Sequence, residues 1–265
     1  MASFHPGTAL VTGASSGMGA IYADRLARRG YDLILAGRDR ERLEQCAASL
    51  AKREDRTIRI VAADLQTAQG LNSVEQILCS ERAISMLVNN AGIGAVGPLL
   101  QSDINQLDAL IRLDVIAPVR LAYAAAAAFA SRGSGTIVNM ASIVAVAPEL
   151  LNGVYGAAKA FVLAFSQSLH HELSDKGIRI QVVLPGAVAT AFWGTAGTSV
   201  EHLPADIVMS AEDAVDAALA GLDAGEVVTI PSLPDLADWQ ALEDARKNLF
   251  PGLSHAIPAP RYRGL

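Results

Sequence analysis

The chain has 265 residues, 51% of them hydrophobic and 18% charged, with a net charge of −6, which excludes a disordered chain and is long enough for one large domain with a sizeable core. Without a dense Lys/Arg cluster, neither nucleic acid nor an anionic membrane is the expected partner, and the longest apolar run, residues 121–130, is too short to cross a bilayer. The N-terminus lacks a charged, then apolar, leader, and Cys46 and Cys79 both fall in predicted helices, so the expected setting is the cytoplasm without disulfides.

Strand-like and helix-like segments alternate almost from the first residue. Strands are predicted at 8–12, 33–36, 58–62, 86–88, 135–140, 178–183 and 227–230, and helices at 17–29, 39–52, 69–82, 104–130, 152–173 and 211–222. Such alternation with short connections implies an α/β fold, a doubly wound parallel sheet of about seven strands with helices on both faces, in a single domain spanning 1–265. Ligands of these sheets bind beyond the carboxyl ends of the strands, so the residues that follow each strand are the candidates for a site.

After the first strand, TGASSGMG places Gly13, Gly17 and Gly19 where a tight turn lets a pyrophosphate approach backbone N–H groups, with Ser15, Ser16 and Met18 in the same turn. The spacing is Gly-xxx-Gly-x-Gly, unlike the Gly-x-Gly-xx-Gly of other dinucleotide sites, and a bare strand-to-helix turn would use the same residues. After the second strand stands Gly37-Arg38: with no acid at 37 for a ribose diol, Arg38 suits a 2′-phosphate, favouring NADP over NAD, unless it is one more charge on a solvated face. Asp39 reads as a helix cap. Asp64, followed by Leu65, suits an adenine amine or its own loop; in Asn89, Asn90, Ala91 and Gly92 two amides and a flexible Gly either stitch neighbouring loops together and line the pocket or form a plain turn.

A strand ending near Ser142, a break at Pro148 and a helix capped by Asn152 put Tyr155 and Lys159 on one helix face. A free phenol, with a pKa of about 10, is a poor acid or base near neutrality. A lysine charge roughly 5 Å away at an effective dielectric of about 20 is worth about 3 kcal/mol, which would bring Tyr155 to about 7 to 8. Ser142 would donate to a developing oxyanion, so the three suit proton transfer at a carbonyl or alcohol oxygen. Singly, each also fits a bland role as a buried phenol, a surface charge and a loop hydroxyl. Neither a metal site nor a hydrolase nucleophile has support in the pattern.

Taken together these motifs resemble the short-chain dehydrogenase/reductase family, single-domain type, from residue 8 to about 230. The resemblance implies a Rossmann-type fold, cofactor contacts from the glycine turn, Asp64, Asn90 to Gly92, Pro185, Gly186, Val188 and Thr190, and hydride transfer between NADP(H) and a carbonyl or alcohol. It further implies that Tyr155 is the acid/base, that Lys159 holds the nicotinamide ribose and lowers the phenol pKa, and that Ser142 orients the substrate. One position departs: where the family has Asn in its fourth helix, acting through its backbone carbonyl, this chain has Asp114. An ionised Asp114 near Lys159 would offset the lysine's pull on Tyr155 and raise the apparent pKa of the base.

The segment 190–206 carries Phe192 and Trp193 beside the nicotinamide position and reads as a substrate lid; with Val144 and Leu151 it suggests a hydrophobic carbonyl substrate, though these side chains equally suit packing on one another. The tail 231–265 is expected to close the pocket or to pack on a second subunit, and the resemblance implies a homodimer or homotetramer. An NADP(H)-responsive regulator without turnover, or a lyase or epimerase, are the competing functions.

Overall fold

The computed structural model describes residues 6–263; the leader reading, which rests on residues 1–5, and the last two residues of the tail lie outside the described residues. The chain divides into two compact units, Met1–Pro231 and Ser232–Leu265.

In the first unit the elements run β1 (Thr8–Thr12), α1 (Gly17–Arg28), β2 (Asp32–Gly37), α2 (Arg40–Ala51), β3 (Ile58–Ala62), α3 (Ala68–Ser80) and β4 (Ile84–Asn89). Then come α4 (Ile104–Ile111), α5 (Ala117–Ala130), β5 (Gly135–Met140), α6 (Gly153–Leu173), β6 (Ile178–Val183), β7 (Ala187–Val188), α7 (Phe192–Ala196), β8 (Val208–Met209), α8 (Ala211–Ala224) and β9 (Val228–Thr229). Seven strands form one parallel sheet in the order β3-β2-β1-β4-β5-β6-β9, while β7 and β8 pair separately. Successive strand residues point to opposite faces, and both faces are covered: Leu10, Ile34, Leu87, Ile137 and Ile180 pack under α3 and α5, whereas Val11, Leu35, Val88 and Val138 pack under α1, α2 and α8. That double burial is why the middles of β1, β2 and β4 read as apolar stretches. The order reverses at β1, flanked by β2 and β4, which opens the ligand crevice past their carboxyl ends.

The helix expected over 104–130 is interrupted: a π turn, Arg112–Ile116, separates α4 from α5. Pro118 is the reason, because it lacks an N–H and its ring would collide with the carbonyl four residues back, that of Asp114. The Ala117 N–H instead reaches back to Arg112 O. Among the described residues this stretch, Ile104–Ala130, is the one helix long and apolar enough to span a bilayer, longer than its ten-residue apolar run indicates. Here its buried side chains, Leu110, Leu121, Ala125 and Phe129 among them, serve the core.

The second unit holds α9 (Leu236–Lys247) and two single turns, Phe250–Gly252 and Pro260–Tyr262, none of whose residues is buried.

Candidate active site

The crevice at the reversal point is built by interlocking loops. Gly13 has φ +66, and a Cβ there would lie 2.9 Å from Ala91 Cα, while a Cβ on Gly19 would lie 2.2 Å from Gly13 O. The two glycines therefore let the turn, the helix and the loop after β4 pack backbone to backbone. Asn90 is committed to that lock: its Nδ2 donates to Thr12 O at 2.9 Å, and Thr12 Oγ1 accepts from the N–H groups of Asn90 and Ala91, each at 3.0 Å. Ser16 makes no side-chain cap on α1, which leaves the first N–H groups of that helix for an anion. Ser15 faces Gly37, where an added Cβ would come 3.8 Å from Ser15 Oγ. Met18 turns away to pack with Val188 and Ala214.

Beyond β2, Arg38 is exposed and, among the described residues, has no acidic partner, whereas Arg40 and Arg42 are paired with Glu44 and Asp39. Asp39 caps α2 by accepting from Arg42 N at 3.0 Å. Asp64 uses one carboxylate oxygen on its own loop, accepting from Gln66 N at 3.0 Å, and Leu65 is in the core. These surroundings suit a dinucleotide whose ribose phosphate meets a free guanidinium.

The second half of the crevice holds the polar cluster. Ser142, in extended backbone after β5, donates to Pro185 O at 3.4 Å and accepts from Val144 N at 3.4 Å. Asn152 caps α6 through Val154 N at 2.9 Å, and its Nδ2 donates to Gly97 O at 2.6 Å and Ser102 Oγ at 3.0 Å. The start of the Tyr155 helix is thus tied to the loop after β4. Lys159 Nζ donates to Met140 O at 3.2 Å, lies 2.9 Å from Asp114 Oδ2, and stands 5.7 Å from the centroid of the Tyr155 ring. The other Asp114 oxygen accepts from Ile93 N at 2.9 Å. Gly92 leaves room for this carboxylate, since a Cβ there would sit 3.2 Å from Oδ2.

Burial and the charges enclosed with it set the protonation of this cluster. Tyr155 is only 5% exposed, and the loss of water pushes its phenol above the ordinary tyrosine value; Lys159 pulls it down, Asp114 pushes it up and the Ser142 hydroxyl lowers it. The expectation of about 7 to 8 is therefore overturned, because spacing alone carried the lysine's attraction and not the desolvation of the phenolate. Burial also works against the Lys159 ammonium, but Asp114 and Tyr155 together hold it above the usual lysine range. Burial raises Asp114 above the ordinary carboxylate range against the opposing pull of Lys159 and the Ile93 N–H.

Of the candidate substrate residues, Val144 is buried with Tyr155, Leu110 and Ala158, and Leu151 and Phe192 pack at the edge of that group. The Phe192 ring lies 5.8 Å from the Tyr155 ring. Trp193 is different: it is buried, its Nε1 donates to Val188 O at 2.9 Å, and it meets Phe192 edge-on at 5.5 Å. It ties α7 to β7 and packs on Phe192, the alternative that the sequence reading had left open for these side chains. Thr190 accepts weakly from Phe192 N at 3.4 Å and lies against Gly17.

The sequence reading also missed a buried ladder. Asn89 donates to Asn139 at 2.9 Å, Asn139 to Ser166 at 2.9 Å, and Ser166 to Val162 O at 2.7 Å, joining β4, β5 and α6 beneath the polar cluster. Two asparagines inside apolar strands were the available signal, because a buried amide needs a partner.

A dinucleotide crevice beside a Ser-Tyr-Lys cluster defines a class of α/β oxidoreductases. The short chain dehydrogenase family model matches residues 7–200, and the chain belongs to that family. The chain is 33% identical over 202 residues to human 17-beta-hydroxysteroid dehydrogenase type 3, a match spanning 75% of this chain but 64% of that protein's length. Among solved structures, the short-chain dehydrogenase from Sphingobium yanoikuyae in complex with NADPH is 46% identical, with a TM-score of 0.94 over 97% of this chain and 100% of that one. The bulky-bulky ketone specific alcohol dehydrogenase from Comamonas testosteroni is 44% identical, with a TM-score of 0.89 over 97% and 98% of the two chains.

Proposed function

We propose that the protein is an NADP(H)-dependent oxidoreductase that interconverts a carbonyl and an alcohol on a small-to-medium hydrophobic substrate. The observation that carries this reading is the convergence of Ser142, Tyr155 and the Lys159–Asp114 pair beside an apolar group of Leu110, Val144 and Ala158. NADP(H), held by the glycine turn, Arg38 and Lys159, supplies or takes up the hydride. The exposed, unpaired Arg38 beside Gly37, and the NADPH in the Sphingobium relative, support NADP over NAD.

Tyr155 gives its proton to the substrate oxygen in reduction and receives it in oxidation. Ser142 orients that oxygen by hydrogen bonding. Lys159 stabilises the phenolate left behind, and Asp114 keeps Lys159 charged and fixed. Val144, Leu151 and Phe192 supply apolar walls that exclude water and favour an uncharged substrate. Exposed Ile116, Tyr123 and Phe161 on the π turn, α5 and α6 support a homo-oligomer.

The test is oxidation of NADPH, followed by absorbance, across a panel of aryl and alkyl ketones, with Tyr155→Phe as control. Turnover lost by at least about 100-fold in the variant supports the reading. Tight NADPH binding without turnover on any ketone would instead favour a cofactor-responsive regulator.

A further inference from the structure

Gly94, in the loop after β4, is a glycine for a reason that its backbone does not supply, since its φ is not positive. A Cβ at this position would lie 2.2 Å from Phe192 Cζ, 2.8 Å from Phe192 Cε2 and 3.0 Å from Ala196 Cβ. The phenyl ring therefore occupies the place where a side chain at 94 would stand. The same ring is 5.8 Å from Tyr155 and belongs to the apolar group formed with Val144 and Leu151. Its root cannot move freely: Trp193 next to it is buried and bonded to Val188 O, Trp193 O accepts from Thr198 N at 3.0 Å, and Ala189 N donates to Met209 O at 2.9 Å. Adding bulk at 94 thus acts first on the ring, which is only half-buried and has the severest overlap, while the contact with Ala196 Cβ at 3.0 Å is tight and lies at the limit of what α7 accepts without moving.

We propose that Gly94 and Phe192 together set how large a substituent the cleft accepts beside the reacting carbonyl, with Gly94 acting as the seat that keeps the ring drawn back. This rests on the carbonyl–alcohol reading above and deepens it. It predicts that the site tolerates a larger substituent on its Phe192 side, because the edge of the ring rests where a side chain at 94 would otherwise stand.

The experiment compares phenyl methyl ketone with phenyl pentyl ketone in the wild type, Gly94→Ala, Phe192→Ala and the double variant, each as kcat/KM with NADPH. A pocket change of one or a few methylene groups shifts such ratios by about tenfold or more. Gly94→Ala is expected to lower the bulky-to-small ratio by about tenfold, Phe192→Ala to raise it, and the double variant to erase the Gly94→Ala effect, since the ring that transmits it is gone. Ratios within about twofold of wild type in both single variants overturn the proposal, as does a Gly94→Ala effect that persists without Phe192. A wild type that reduces no ketone overturns the parent reading and this one with it, whereas normal turnover with unchanged ratios overturns only this one.

Discussion

Replacing Asp114 by Asn isolates the negative charge paired with Lys159. The carboxylate lies 2.9 Å from Lys159 Nζ, and that nitrogen lies 5.7 Å from the Tyr155 ring centroid, so the negative charge acts on the ring from no farther than roughly 8 to 9 Å. At an effective dielectric of about 20 that distance corresponds to about 2 kcal/mol, or about 1.5 pKa units. The lysine is affected as well, since it loses the anion that holds its ammonium. The sign is nevertheless fixed: Tyr155 and Lys159 titrate as a pair, and removing a negative neighbour makes the first proton easier to lose from the pair whichever group releases it. The Asn side chain still offers an oxygen to Ile93 N, which keeps the loop in place. In the pH profile of kcat/KM for alcohol oxidation, the limb that reports the base should move down by about 1.5 units in Asp114→Asn. A limb that stays within about 0.3 units, or moves up, refutes the coupling.

Three other variants probe the frame around this pair. Asp114→Ala leaves a buried ammonium without its counter-ion and should lower unfolding free energy by about 3 to 5 kcal/mol, read as a lower urea midpoint at unchanged slope. Arg38→Ala removes a charged, forked donor worth about 1.5 to 3 kcal/mol, so NADPH affinity measured by fluorescence titration should fall about 10- to 150-fold while NADH affinity stays the same. In Gly19→Ala the new methyl meets Gly13 O, backbone that cannot rotate away, so the turn must open, and cofactor binding should be lost even where circular dichroism shows a folded chain.

The sheet was legible because its central strands are buried on both faces and carry apolar stretches; β1, β3 and β6 lie at the residues read from the sequence, although β3, at the edge, has no buried residue. Both helix caps foreseen from side-chain chemistry, Asp39 and Asn152, hold the N–H groups expected of them. What spacing does not encode is depth. The Tyr155–Lys159 distance was approximated from helix geometry, but burial, which governs the phenol, depends on Val144, Leu110 and Phe192, residues brought in from three other segments. The bond from Trp193 to Val188 O was hidden for the same reason, since an aromatic on a loop gives no local sign of the carbonyl that its N–H will meet. The break at 112–116 was readable in principle from Pro118, which no uninterrupted helix accommodates.

The raised phenol and the raised ammonium bear on the direction in which the resting site is prepared to work. Near neutrality Tyr155 is protonated and Lys159 is charged, the state needed to give a proton to a carbonyl oxygen. The reverse reaction needs the phenolate, and a group whose pKa lies above the ordinary tyrosine value supplies it only as the pH rises. Asp114 strengthens this bias by opposing the negative phenolate while holding the lysine that would stabilise it. Ketone reduction should therefore run well at neutral pH and decline only in alkali, while kcat/KM for oxidation of the matching alcohol should climb through the same alkaline range. Coincident optima for the two directions near neutrality would show that the phenol is not held up by its surroundings, and burial would then have to be discarded as the controlling influence on Tyr155.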